Sequence, residues 1–162
     1  MALEFYNLIK NHAEKNPNHP AIIDNETTIT YIQMLEKIEG FAGGLGDLKL
    51  NPQSKLGILC LNQSEYLVAL VGAFLKGIPV VPYNFLLTPE DLIYITQDAC
   101  IDTIIADSVF IKPEITPFIQ SFTNKIIVGH ADIKGLGENA HSFEKFLKNG
   151  QDSKSKLGYQ RV

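Results

Sequence analysis

Val71-Gly-Ala-Phe-Leu-Lys-Gly-Ile-Pro-Val-Val-Pro-Tyr-Asn84 (VGAFLKGIPVVPYN) decides how this chain is read. An apolar run stops at Lys76-Gly77. A second run, Ile78 to Tyr83, is bracketed by Pro79 and Pro82 and closed by Asn84. Gly77 suits the C-terminal turn of a helix, where the backbone turns left-handed. Proline cannot donate to a ladder, so the second run is a strand only if each proline faces an edge or lies near an end. The stretch therefore reads as a buried helix feeding a buried strand.

The same alternation extends in both directions. Upstream, Lys55-Leu-Gly-Ile-Leu-Cys-Leu61 is apolar without a period of two, as in a strand covered on both faces. Asn62-Gln-Ser-Glu65 is polar and can cap the helix Glu65 to Leu75, which is apolar nearly all round and expected to be deeply buried. Downstream, Thr88 caps a helix with Pro89 in its first turn and Glu90 and Asp91 at its positively polarised end. Leu92, Ile95, Thr96 and Ala99 form the inward stripe of that helix. Asp102 to Ala106 is a third strand, Ile115 to Phe122 a weaker helix and Lys125 to Val128 a further strand. Ser142 caps a last short helix with Phe143, Phe146 and Leu147 inward.

The N-terminal part has its own pattern. Leu3 to Lys15 reads as a helix with Phe5, Leu8, Ile9, His12 and Ala13 on one face. Ala21 to Asp24 and Thr27 to Thr30 flank Asn25-Glu26 as a hairpin. Thr30 and Gln33 make a capping box for a helix with Tyr31, Leu35, Ile38, Ala42 and Leu45 in a stripe; Gly43, Gly44 and Gly46 help to stop it. Buried strands alternating with helices predict an α/β layered fold with a largely parallel sheet flanked by helices. Residues 1–148 read as one α/β subdomain and 149–162 as a polar tail or linker.

Length and composition set limits. A chain of 162 residues is one domain or one piece of a larger one. Hydrophobic residues are 45% and charged residues 20%, so a core is affordable and general disorder is not expected. A formal charge of −4 without a dense basic patch argues against nucleic acid as a partner. The longest apolar run, Tyr66 to Leu87, is broken by Lys76, Pro79 and Pro82, short of the ~20 residues a membrane span needs. No secretory pattern opens the chain, and the expected location is cytoplasmic. Cys60 and Cys100 read as buried free thiols. The matches Asn25-Glu-Thr27 and Asn62-Gln-Ser64 to a glycosylation acceptor read as chance.

Chemistry is harder to find. The cluster Gly40 to Gly46 closes a helix, whereas a phosphate-cradling glycine run follows a strand and opens one. His12, His19, His130 and His141 lack the spacing of metal ligands. No nucleophile elbow occurs. The pairs Glu90-Asp91 and Asp98/Asp102 are explained as a helix start and a solvated surface. In sheets of this class ligands gather beyond the carboxyl ends of the strands, where Asn62, Asn84 and Asp107 fall.

Several short motifs carry a family resemblance. They are His19-Pro-Ala-Ile-Ile23, Thr28-Ile-Thr-Tyr31, Gly57-Ile-Leu-Cys-Leu-Asn62, Ser64-Glu-Tyr66, Ala73-Phe-Leu-Lys-Gly77-Ile-Pro-Val-Val-Pro82, Asn84-Phe-Leu-Leu-Thr-Pro-Glu-Asp-Leu92 and Asp102-Thr-Ile-Ile-Ala106. In this order and spacing they resemble the N-terminal part of the AMP-forming adenylating enzymes: acyl-CoA synthetases, luciferases and peptide-synthetase adenylation domains. The Asn-x-x-x-Thr-Pro-Glu form is most similar to fatty-acid–CoA ligases. One departure is Gln53-Ser54-Lys55, where the family has Gly-Asp before a strand. The other is larger: the family's Ser/Thr/Gly-rich loop ending in Pro-Lys-Gly has no counterpart here, nor does its C-terminal domain.

The resemblance implies a ligase that activates a carboxylate with ATP and Mg and passes the acyl group to CoA. Residues 1–162 supply neither the amides nor the Lys that such chemistry needs. No catalytic, cofactor-binding or metal-ligating residue is therefore carried over, no cofactor is expected for this piece by itself, and the 162 residues alone are expected to be inactive. Asn62 and Asn84 stand as candidates for a substrate rim, with helix caps or turn residues as the competing reading. The expected partner is the remainder of the ligase domain or a second copy of the chain. A stand-alone binding or scaffold module of the same fold is the alternative.

Overall fold

The computed structural model describes residues 2–24, 27–48 and 50–156. The hairpin's turn residues Asn25 and Glu26, and 157–162 of the tail, lie outside the described residues. By its internal contacts the chain forms two compact units, residues 1–49, 62–77 and 147–162, and residues 50–61 and 78–146.

The first unit contains α1 (Ala2–Lys15), the antiparallel pair β1 (Pro20–Asp24) and β2 (Thr27–Thr30), α2 (Tyr31–Asp47), α3 (Ser64–Leu75) and the end of α6 (Phe143–Lys156). The capping box is formed as expected: Thr30 Oγ1 accepts from the Gln33 amide at 3.4 Å, and Gln33 Oε1 accepts from the Thr30 amide at 3.0 Å. Leu35, Ile38, Ala42 and Leu45 are buried along α2, and Met34 and Phe41 join them. Of the face read on α1, Ile9 and Ala13 are buried, whereas Phe5 and Leu8 are exposed. His12 is exposed too and stacks on Tyr31 with ring centroids 4.9 Å apart.

Several expectations are refined in this unit. The first concerns α3, which is not buried all round. Val68, Ala69, Val71 and Ala73 are closed to solvent, but Leu67 and Phe74 are exposed. An all-apolar helix carries no period to say which face is covered, so sequence cannot separate the two. The second concerns the glycines of α2, which lie near its end as expected and also form a contact surface. The helix continues through them to Asp47. A Cβ at Gly40 would come within 2.9 Å of the Leu147 carbonyl, and one at Gly43 would collide with the Gly150 carbonyl. The glycines let α6 lie backbone to backbone on α2. The segment from 149, read as a patternless tail, is helical to Lys156, with Gln151 Nε2 donating to the Glu36 carbonyl at 3.2 Å and Ser153 Oγ to Asp47 at 2.6 Å.

The second unit is built on a five-stranded sheet of β3 (Leu56–Leu59), β4 (Val80–Pro82), β5 (Thr103–Asp107), β6 (Asn124–Val128) and β7 (Ala140–Ser142). The order is β4-β3-β5-β6-β7 and every pair is parallel. Strand β7 was not read from sequence, because three half-buried residues at a sheet edge carry too little pattern. The β3, β5 and β6 strands are buried throughout. On one face Leu59, Ile104, Ala106 and Ile127 pack with Leu92 of α4 (Pro89–Ala99) and with Phe118 and Ile119 of α5 (Thr116–Gln120). The opposite face shows Leu56, Ile58, Ile105 and Ile126, all closed to solvent.

The prolines of the opening stretch now have their place. The β4 strand is one of the two edge strands, and its neighbour takes the Pro79 carbonyl (Leu56 amide, 2.9 Å) and the Tyr83 amide (Ile58 carbonyl, 2.9 Å). Pro82 alternates with Val81 and Tyr83, so its missing N–H falls on the free edge. Thr88 and Asp91 complete a second capping box on α4, with Pro89 in the first turn as read. Cys60 is buried, but Cys100 is exposed: it ends α4 with φ 53°, outside the core. At the amino end of β5, Asp102 accepts from Ser54 Oγ at 2.6 Å and Thr103 Oγ1 at 3.0 Å. That clasp fills the place where Gln53-Ser54-Lys55 departs from the resembled pattern. No helix among the described residues is long and apolar enough to cross a membrane.

Candidate functional site

Each unit presents one place where a ligand or partner could sit. In the second unit it is the carboxyl end of the sheet. Numbered within the sheet, the strands run 2-1-3-4-5, so the order reverses between β3 and β5. Doubly wound sheets bind ligands outside the strand ends at such a switch. Asp107 ends β5 there. Its side chain is buried, and Oδ1 accepts from the Val109 amide at 3.1 Å, closing a short 3-10 turn over Ser108–Phe110. Gly129 follows β6 with φ 82°, and a Cβ there would run into Ser108 Oγ at 2.5 Å, so the two turns are tightly nested.

Asn84, one of the two rim candidates, follows β4. Its Oδ1 accepts from the Leu86 amide at 3.0 Å, and its carbonyl accepts from Leu87 N at 3.1 Å. The side chain is exposed and closes a turn. Beside it, Phe85 stacks on Phe110 with centroids 5.8 Å apart. Below the rim lies Tyr83, whose ring covers Gly57 and meets Phe118 edge to face at 5.7 Å. Its hydroxyl bonds Thr96 Oγ1, which itself donates to the Leu92 carbonyl at 2.7 Å. Burial pushes the Tyr83 phenol up to about 12.

These residues do not fit a triphosphate. The buried polar group nearest the switch is a carboxylate, which repels phosphate, and its accepting oxygen already serves a turn. No cluster of three His, Cys, Asp or Glu able to hold a metal occurs among the described residues. Among the described residues the one buried lysine, Lys125, sits at the start of β6, not its carboxyl end. Its Nζ donates to the Phe122 carbonyl at 2.7 Å, and burial lowers its pKa.

In the first unit, Asn62 lines a groove of about 390 Å³ together with Ile22, Ile23, Asp24, Tyr66 and Leu67. The groove lies between the β1–β2 hairpin and the start of α3. The helix begins at Ser64 with Gln63 at the cap position, and no side chain closes it. The polar stretch Asn62–Glu65 was read as supplying a cap and does not. Instead the Ser64 hydroxyl donates to Glu65 Oε2 at 2.9 Å. Asn62 thus stands on a groove wall of one unit and Asn84 on a turn of the other. The Phe85–Phe110 pair went unread because its members are 25 residues apart and meet only through sheet order.

A parallel sheet of this order, with helices packed on it, defines an α/β protein of the layered, parallel-sheet class. Its particular kin follow from comparison. The family model "AMP-binding enzyme" matches residues 9–156, and the chain belongs to that family. Among curated relatives, a medium/long-chain-fatty-acid–CoA/3-oxocholest-4-en-26-oate–CoA ligase of Mycolicibacterium smegmatis is 29% identical over 99 residues, 61% of this chain and 18% of the relative. Fatty acyl-CoA synthetase B of Dictyostelium discoideum is 26% identical over 136 residues, 79% of this chain and 20% of the relative. The chain thus spans about a fifth of the length of these relatives. A benzoate CoA ligase from Burkholderia xenovorans shares the fold with a TM-score of 0.73 at 24% identity, over 89% of this chain and 28% of that one.

Proposed function

We propose that the chain is the N-terminal α/β subdomain of an AMP-forming acyl-CoA ligase, with a fatty acid as the carboxylate. Such an enzyme joins a carboxylate to the α-phosphate of ATP with loss of pyrophosphate, then passes the acyl group to the thiol of CoA. The observation that carries the reading is the family match over 9–156 in a chain spanning about a fifth of its curated relatives. The fatty-acid assignment is supported by the names of those relatives and by the Asn84-x-x-x-Thr88-Pro-Glu motif.

The role of these residues is to supply a platform. Two anions must be brought together in the reaction, which needs preorganised cationic and amide groups. The described strand ends offer turns closed by Asn84 and Asp107 in their place. Asn62, on the groove of the first unit, and Asn84, at the strand exit of the second, are each kept as a proposed rim residue of its own unit. Magnesium, ATP and CoA belong to the larger enzyme.

The test is pyrophosphate exchange into ATP with a panel of fatty acids. The pure 162-residue chain gives none, and the full translation product of the coding sequence containing it gives acid-dependent exchange and acyl-CoA. Exchange by the isolated chain overturns the platform reading. A full product active only with aryl acids removes the fatty-acid assignment and keeps the rest.

A further inference from the structure

We propose that the apolar rim formed by Leu61, Phe85, Leu86 and Val109 is the docking face for the catalytic remainder of the ligase body; this names the partner of the platform above and rests on that reading. The sheet order places β3 between β4 and β5. Neighbouring strands lie about 4.8 Å apart, so the exits of β4 and β5 are separated by roughly 10 Å with β3 between them. Phe85 leaves β4 and Phe110 leaves β5, yet their rings stack at 5.8 Å and 29°. The two loops therefore arch together over the exit of β3, where Leu61 emerges.

The surface of that arch is apolar and held in shape. Leu61 is 37% exposed, Phe85 42%, Leu86 80% and Val109 47%. Leu59, Tyr83 and Ala106, at or next to the ends of the same strands, are closed to solvent, whereas these four side chains are not. The turns fix the rim. Asn84 Oδ1 takes the Leu86 amide and Asp107 Oδ1 takes the Val109 amide, which satisfies the backbone and leaves the hydrocarbon outward. Single exposed apolar residues are ordinary on a protein surface, but a group on adjoining loops marks an interaction face. Exposed Glu90 and Asp91 follow Leu86 along the chain and exposed Lys112 follows Val109, so charged residues adjoin the apolar ones in sequence.

Length chooses the occupant. The chain spans about a fifth of the length of its curated relatives, and on the ligase reading the remaining body meets the platform on surface that the platform leaves uncovered. The rim lies at the strand exits, where a sheet of this order presents its ligands.

The experiment is amide hydrogen exchange over residues 84–87 and 108–111. It is measured on the isolated chain at rising concentration and on the full translation product of its coding sequence, each with and without Leu86→Glu. The isolated chain should exchange rapidly at all concentrations, and Leu86→Glu should leave its circular dichroism unchanged. In the full product both segments should slow by at least about ten-fold, and Leu86→Glu should remove much of that slowing. Protection in the isolated chain that grows with concentration and vanishes in Leu86→Glu assigns the face to a second copy and overturns the proposal. Equal exchange in the two proteins, or a reading frame that closes after Val162, overturns it as well. Acyl-CoA formation is read separately: activity without protection sinks the docking face alone, and protection without activity sinks only the ligase reading.

Discussion

Tyr83 sits 5% exposed between Gly57 and Phe118, at the point where the proline-bracketed strand ends. Its phenol is raised to about 12, first by burial. A group whose folded pKa lies above its unfolded value of 10 adds stability that is complete below pH 10 and is lost as pH climbs towards 12. Denaturation of the chain should therefore become easier across that window, and Tyr83→Phe should flatten the decline; an unchanged slope contradicts the buried hydroxyl. His141 runs the other way. Burial, helped by the positive charge of Lys145, lowers its pKa below 6.5. Its contribution is present above pH 6.5 and fades as pH falls through the lowered value, so His141→Gln should lessen the loss of stability on mild acidification. Neither environment was legible beforehand. Tyr83 reads as a strand end and His141 as a stray histidine, because burial is set by segments distant in sequence.

At the scale of elements, the capping boxes of α2 and α4 were legible, whereas the cap read for α3 does not form and close packing was not legible. Thr30 with Gln33, and Thr88 with Pro89 and Asp91, form their caps as read, because a cap depends on four consecutive residues. Thr88→Ala should cost about 0.5–2 kcal/mol in urea denaturation. The contact made by Gly40 and Gly43 was not legible because their partners on α6, Leu147 and Gly150, are over a hundred residues away. Gly43→Ala forces the α2 and α6 backbones apart and should cost about 1–3 kcal/mol or more. Gly135→Ala, with open space around its Cβ, should stay within about 0.5 kcal/mol. Equal effects at the two sites would remove the backbone contact. On α3, Phe74 is 37% exposed, so Phe74→Ala should cost clearly less than the ~2–5 kcal/mol expected for a fully buried aliphatic such as Ile38→Ala.

At the scale of the whole molecule, the five-stranded sheet was foreseen in class and in four of its strands, β3 to β6. Fully buried β5 lies at its centre, and Ile105→Ala should cost about 2–5 kcal/mol with one cooperative transition; a near-neutral result would be incompatible with that placement. The sequence by itself determined the alternation of strand and helix, the parallel class, the caps of α2 and α4 and the kinship to AMP-binding enzymes. Those rest on local hydrophobic period and short ordered motifs, which survive without knowledge of distant contacts. Only the tertiary structure decided the strand order, the edge strand β7, the continuation of α6 to Lys156, the outward face of α3 and the aromatic arch over β3. Each of these depends on which distant segments share a surface, and close packing between side chains far apart in sequence leaves no periodic mark in either one.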